Sequence, residues 1–231
     1  MTNYELEYNW DIYYDNQKIE SVDLGNIPFK DNSMVGVFSG CSNLQSVTNI
    51  NENVINMGDA FFHCYSLTDA PIIPKSVTNM HETFYYCNKL TTIYDLNEYT
   101  NLTDIAWAFG ATKISKAPKL PNSITNISMS FAYLYDLVIA PDLSDCTNLT
   151  DISRTFINCN SLTGDIYIGS NQITNAINCF VNTSLNKNVY IPFTYQNGDN
   201  TLTYNSFINA GYTTDPNNRI NGVCLFDLNN R

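Results

Sequence analysis

The chain has 231 residues, with 22 Asp and Glu against 11 Lys and Arg, a formal net charge of -11, and only 14% charged residues, so Asn, Thr, Ser and Tyr must carry its polar surface. So few cations release few counterions from a phosphate backbone or an anionic bilayer, which argues against nucleic acid and lipid as partners. No run approaches the roughly 18 apolar residues of a membrane span, and Met1 is followed by TNYELEYNWDIYYDN, with no basic leader or apolar core; the expectation is a chain neither inserted in a membrane nor exported on a signal peptide.

Residues 1–31 hold two period-two runs, EYNWDIYY and KIESVDL, on either side of Asp15-Asn16-Gln17. They predict an N-terminal β cap in which a hairpin, anchored by Trp10, covers the open edge of the segment beginning at residue 32. From 32 to 192 the pattern changes. Phe recurs at 38, 61, 84, 109, 131, 156 and 180, and again at 207, at steps of 22 to 27 residues. Within 77–96, VTNMHETFYYCNKLTTIYDL, the apolar residues Val77, Met80, Phe84, Cys87, Leu90, Ile93 and Leu96 fall three or four apart. That is helical spacing. Pro71, Pro74, Pro118, Pro121, Pro141 and Pro192 forbid long helices, however, and a repeat of this length belongs to a solenoid. Each copy then forms one coil that buries its apolar side chains only against neighbouring coils. Two short strand segments per coil, at sequences like VTNM and LTTI, should form parallel ladders, with a short helical or 3-10 turn at each Phe. After Pro192, Asn197-Gly198 predicts a hairpin or long loop. Residues 193–231 then read as a last coil and C-terminal cap, closed by a strand carrying Val223, Leu225 and Leu228.

Cys41, Cys64, Cys87 and Cys159 each lie three residues after a repeat Phe, where other coils place Thr112, Leu134 and Thr183. A position that accepts Leu and Thr is a packing site, so the seven cysteines are expected as buried free thiols rather than a disulfide framework. Zinc and calcium are not expected. His63 and His81 occupy non-equivalent repeat positions, and one oxygen per coil is too few for calcium. Asn56, Asn79, Asp104, Asn126, Asp151 and Asn175 recur five residues before the Phe and should satisfy turn backbone. The NLT, NIS and NTS triplets follow from the repeat wording, and glycosylation is not expected.

The units AFFHCYSLTDAPIIPKSVTNM (60–80) and TFYYCNKLTTIYDL (83–96) resemble the BspA-like leucine-rich repeat: a Phe, a Cys three residues on, a Leu-Thr strand, a Pro and a Val-Thr strand. The likeness covers about residues 32–192. It implies a repeat solenoid, a right-handed stack of about seven coils with short parallel strands, capped at both ends. It also implies adhesion or assembly, since this class is associated with bacterial surface proteins, secreted protist proteins and phage structural proteins.

No P-loop, dinucleotide fingerprint, nucleophile elbow or zinc-protease motif is present, and nothing sets Asp142 and Asp145 across a cleft. No catalytic residues and no cofactor are expected. The remaining surface feature is aromatic. Phe62, Tyr65, Tyr85, Tyr86, Trp107, Tyr133 and Tyr135 cluster at the Phe turns of successive coils, as side chains of a binding ridge or a shield over the turn. The expected function is a non-enzymatic structural or recognition module of a phage virion, such as a fibre, decoration or tail protein. The alternatives are a cell-surface adhesin and a cytosolic scaffold. Partners would be other virion or surface proteins, a host glycan or protein receptor, or further copies of the chain.

Overall fold

The structure, a computed structural model, describes residues 13–183, 187–192, 202–218, 220 and 223–228. A column of phenylalanine rings runs through its core. Phe38, Phe61, Phe84, Phe109, Phe131, Phe156, Phe180 and Phe207 are buried, and successive rings lie 5.4–6.4 Å apart with planes within 19° of parallel. Tyr13 extends the column, stacking 5.0 Å from Phe38. Each such pair adds about 0.5–1.5 kcal/mol beyond the area it buries.

The turns that carry these rings are not helical. In every coil from Phe38 to Phe180 the residues two before and two after the Phe have φ between 53° and 77°, from Gly36 and Gly40 through Asp59 and His63 to Asn178 and Asn182. Alternating hand aims every second N–H out of the coil. Met57, Asp59, Phe61 and His63 donate to the carbonyls of Asn79, His81, Thr83 and Tyr85 at 2.9–3.0 Å, whereas Ala60, Phe62 and Cys64 close turns on Met57, Asp59 and Phe61. A helical or 3-10 turn would direct its N–H groups along its own axis and leave none for the next coil. The expectation of one is therefore corrected.

The strand segments are mostly single bridges. Ser33, Asn56, Asn79, Asp104, Asn126, Asp151 and Asn175 pair successively in parallel. At six of these, the Asn and Asp side chains, Oδ1 accepts the N–H two residues on at 2.7–3.3 Å, which satisfies the turn as the composition suggested. Longer pairing occurs near the two ends. There β1 (Ser21–Asp23) runs parallel to β2 (Ser46–Thr48), and β3 (Ile166–Tyr167), β4 (Lys187–Ile191) and β5 (Val223–Asp227) form a parallel sheet in that order. Most of the first arm of the expected N-terminal hairpin, Trp10 included, lies outside the described residues, which take up the chain at Tyr13. Its second arm holds β1, which enters the parallel ladder with Ser21 opposite Ser46.

Phe207 keeps the ring position but sits on α1 (Leu202–Asn209). A helix uses its carbonyls internally, so side-chain hydroxyls meet the N–H groups of the preceding coil. The Ile173 N–H donates to Thr203 Oγ1 at 3.1 Å and the Phe180 N–H to Tyr212 Oη at 3.0 Å. Asn197-Gly198 lies outside the described residues.

All seven cysteines are buried, and none is joined in a disulfide. Burial pushes the Cys146 thiol up to about 12 and that of Cys64 higher still. The Cys position is more than apolar. The thiols of Cys64, Cys87 and Cys159 donate to the carbonyl of the Phe one coil back, at 3.1, 3.0 and 2.9 Å, whereas Thr112 and Thr183 turn to their own coil's Phe.

Candidate functional site

With the Phe facing inward and the left-handed residues on either side of it, the position two before the Phe and those two and four after it present side chains to the outside of the turn, as do Phe62 and Tyr85, one after, in their two coils. Where those positions are aromatic in neighbouring coils, rings meet across the coil spacing. Phe62 and His63 stack at 3.9 Å, His63 reaches Tyr65 at 5.4 Å and Tyr86 edge-on at 5.0 Å, and Tyr86 touches Tyr85 at 4.4 Å. Tyr85 in turn meets Phe62 at 5.9 Å and Trp107 edge-on at 5.0 Å. Six rings on three successive coils thus form one patch. Tyr65 and Tyr86 are its most exposed members, at 38% and 41%, and the other four are half-buried.

Of the seven residues singled out in the sequence, the structure joins five: Phe62, Tyr65, Tyr85, Tyr86 and Trp107. Tyr133 lies close enough to Tyr85 to act on its phenol electrostatically but makes no ring contact with it, and Tyr135, 52% exposed, stands apart from the patch among the described residues. His63 is the member that sequence reasoning missed. It occupies the position of Tyr86 and Tyr133, two after the Phe, and that column would have revealed it. Burial lowers its pKa below 6.5, so at neutral pH it joins the patch as an uncharged ring.

Gly110 explains how Tyr85 lies where it does. A Cβ at Gly110 would fall 2.8 and 2.9 Å from two carbons of the Tyr85 ring. Burial raises the Tyr85 phenol well above its ordinary value, and the neighbouring Tyr86 adds to the shift. Beside the rings, Glu82 Oε1 is 3.1 Å from His81 Nε2; burial first, and the charge of nearby Asp59 second, raise its pKa.

Elsewhere a cavity of about 480 Å³ is lined by Asn26, Asn49, Ile50, Glu52, Ile72, Pro74, Lys75 and Ser76. Among the described residues no three His, Cys, Asp or Glu converge as metal ligands, and no helix is long and apolar enough to cross a membrane.

The profile of the BspA type leucine-rich repeat region matches residues 13–137 in six copies, more than half of the chain. The chain belongs to that family. The family match begins at Tyr13, the ring stacked on Phe38. Among solved structures, a leucine-rich repeat protein of Bacteroides ovatus is similar, with a TM-score of 0.56 and 20% identity over 75% of this chain and 51% of that one. At that identity the likeness is one of fold, and this chain spans about half the length of the Bacteroides protein. No curated protein matches. BspA-type repeats generally serve as protein-interaction surfaces rather than enzymes, typically at bacterial surfaces or outside the cell.

Proposed function

We propose that this BspA-type chain is a non-enzymatic recognition module whose contact surface is the aromatic patch of Phe62, His63, Tyr65, Tyr85, Tyr86 and Trp107. The supporting observation is the continuity of the patch. Six rings touch in series across three coils, and its outer members keep their edges in water. Tyr and Trp with a buried body and a wet rim are the side chains that dominate contact energies at protein interfaces. A ladder of rings, one to three per coil, suits an extended partner lying along the stack.

The narrower place of action is a phage particle or a bacterial surface, and the two make different predictions. Labelled chain is mixed with whole bacterial cells and with purified phage particles, and compared with Tyr65→Ser/Tyr86→Ser. Binding to one target that falls about tenfold in the variant, with an unchanged melting temperature, assigns both the surface and the location. Binding that the variant leaves intact moves the contact to the strand faces and removes this reading.

A further inference from the structure

The position two before the Phe carries Asp59, Glu82 and Trp107 in three successive coils, all with left-handed φ of 54–60°. This column therefore sets two carboxyl groups and an indole in line beside the patch. Asp59 is close enough to Glu82 for its charge to act on that carboxyl, Glu82 is close enough to Tyr85 to act on its phenol, and the Glu82 side chain keeps 27% of its surface in water. Tyr85 meets Trp107 edge-on, so their two ring planes form a corner next to the carboxyl pair. The column's own cation, Arg154, comes two coils beyond Trp107, with Met129 between them.

We propose that this corner takes the guanidinium of an arginine presented by a protein partner. Ring faces attract a cation through their quadrupole, and a planar guanidinium can stack on a ring while its N–H fork reaches a carboxylate. The chain as a whole favours such a partner, because its net charge of -11 steers cations towards it. A neutral glycan would stack on the ring faces and donate hydroxyls to Asp59 and Glu82, but it carries no charge for them to pair with, which sets the two partner classes apart. The inference rests on the proposed role of the patch as the contact surface and adds the chemistry of what it contacts.

The test uses the full chain and three probes in 150 mM salt: a fluorescein-labelled Gly/Ser peptide carrying three arginines, the same peptide with citrulline at those positions, and maltoheptaose. The arginine peptide is expected to bind at least about tenfold more tightly than the citrulline peptide, and Glu82→Gln and Trp107→Leu are each expected to weaken it about fivefold. Circular dichroism and melting temperature report whether each variant is folded. Arginine binding that neither variant changes is general attraction to an acidic surface and overturns the proposal, as does equal binding of arginine and citrulline. If maltoheptaose binds in a Trp107-dependent way and the arginine peptide does not, the patch stands as a contact surface and the cationic partner falls. If no probe depends on Trp107 or Glu82, both readings fall.

Discussion

At Phe84 the ring packs between Phe61 and Phe109, 5.4 and 6.1 Å away, and is wholly buried. Phe84→Ala should cost about 3–5 kcal/mol in denaturant unfolding, because neighbours held by their own coils cannot collapse into the space. Cys87→Ser should cost about 1 kcal/mol, since a hydroxyl can repeat the thiol's bond to the Phe61 carbonyl. Glu82 carries a pH dependence. Its folded pKa lies above the ordinary 4.5, so the folded state holds the proton more tightly than the unfolded chain does. Ionising it opposes folding: the cost is absent at low pH, grows as pH rises through 4.5, and is complete above the folded pKa. Glu82→Gln should therefore raise the melting temperature at pH 7 and leave it unchanged at pH 3, while weakening arginine binding. The buried Phe and Cys positions were legible because burial against a neighbouring coil forces the same residue class at every period. His63 was not, because its outward column tolerates Gly, Ala and Asn as well as rings.

The turn element was the least legible part of the chain. Left-handed φ is announced by Gly, Asn or Asp, but here Trp107, Met129, Tyr133 and Arg154 adopt it as readily. Such residues pay roughly 1–2 kcal/mol each to do so, and the intercoil hydrogen bonds offset that cost only once the stack exists. Apolar spacing reports which side chains face inward and is silent on backbone hand, which is why a helical turn was the natural expectation. Ala111, at φ 57°, offers a test. Ala111→Gly should stabilise the protein by about 0.5–1 kcal/mol, the relief of the left-handed strain exceeding the extra entropy of an unfolded glycine. Gly110→Ala should act differently: it should push the Tyr85 ring off its seat, seen as a changed near-ultraviolet tyrosine spectrum with the far-ultraviolet spectrum retained.

Across the whole molecule, each coil meets its neighbours through the same set of donors and acceptors, so coils are interchangeable at their seams. Removal of residues 62–84, which rejoins Phe61 to Tyr85 at one full period of 23 residues, should leave a folded, shorter protein. Removal of 11 residues from the same place should abolish folding, since ring, thiol and Asn columns would all fall out of phase. Thiol titration offers a check of a different kind: the buried cysteines should stay unreactive until the chain is unfolded. The alternating turns also have an electrical consequence. The carbonyls of Asn56, Gly58, Ala60 and Phe62 accept from the preceding coil, while the N–H groups of Met57, Asp59, Phe61 and His63, on the same four peptide units, donate to the following one. Four peptide dipoles of about 3.5 D thus point the same way in that coil, along the stack. Repeated coil after coil, they make the solenoid a dielectric rod with its positive pole towards the C-terminal end. Cut after any coil, it would present a row of bare N–H groups there, a concave seat for an anion or for the carbonyl face of another stack.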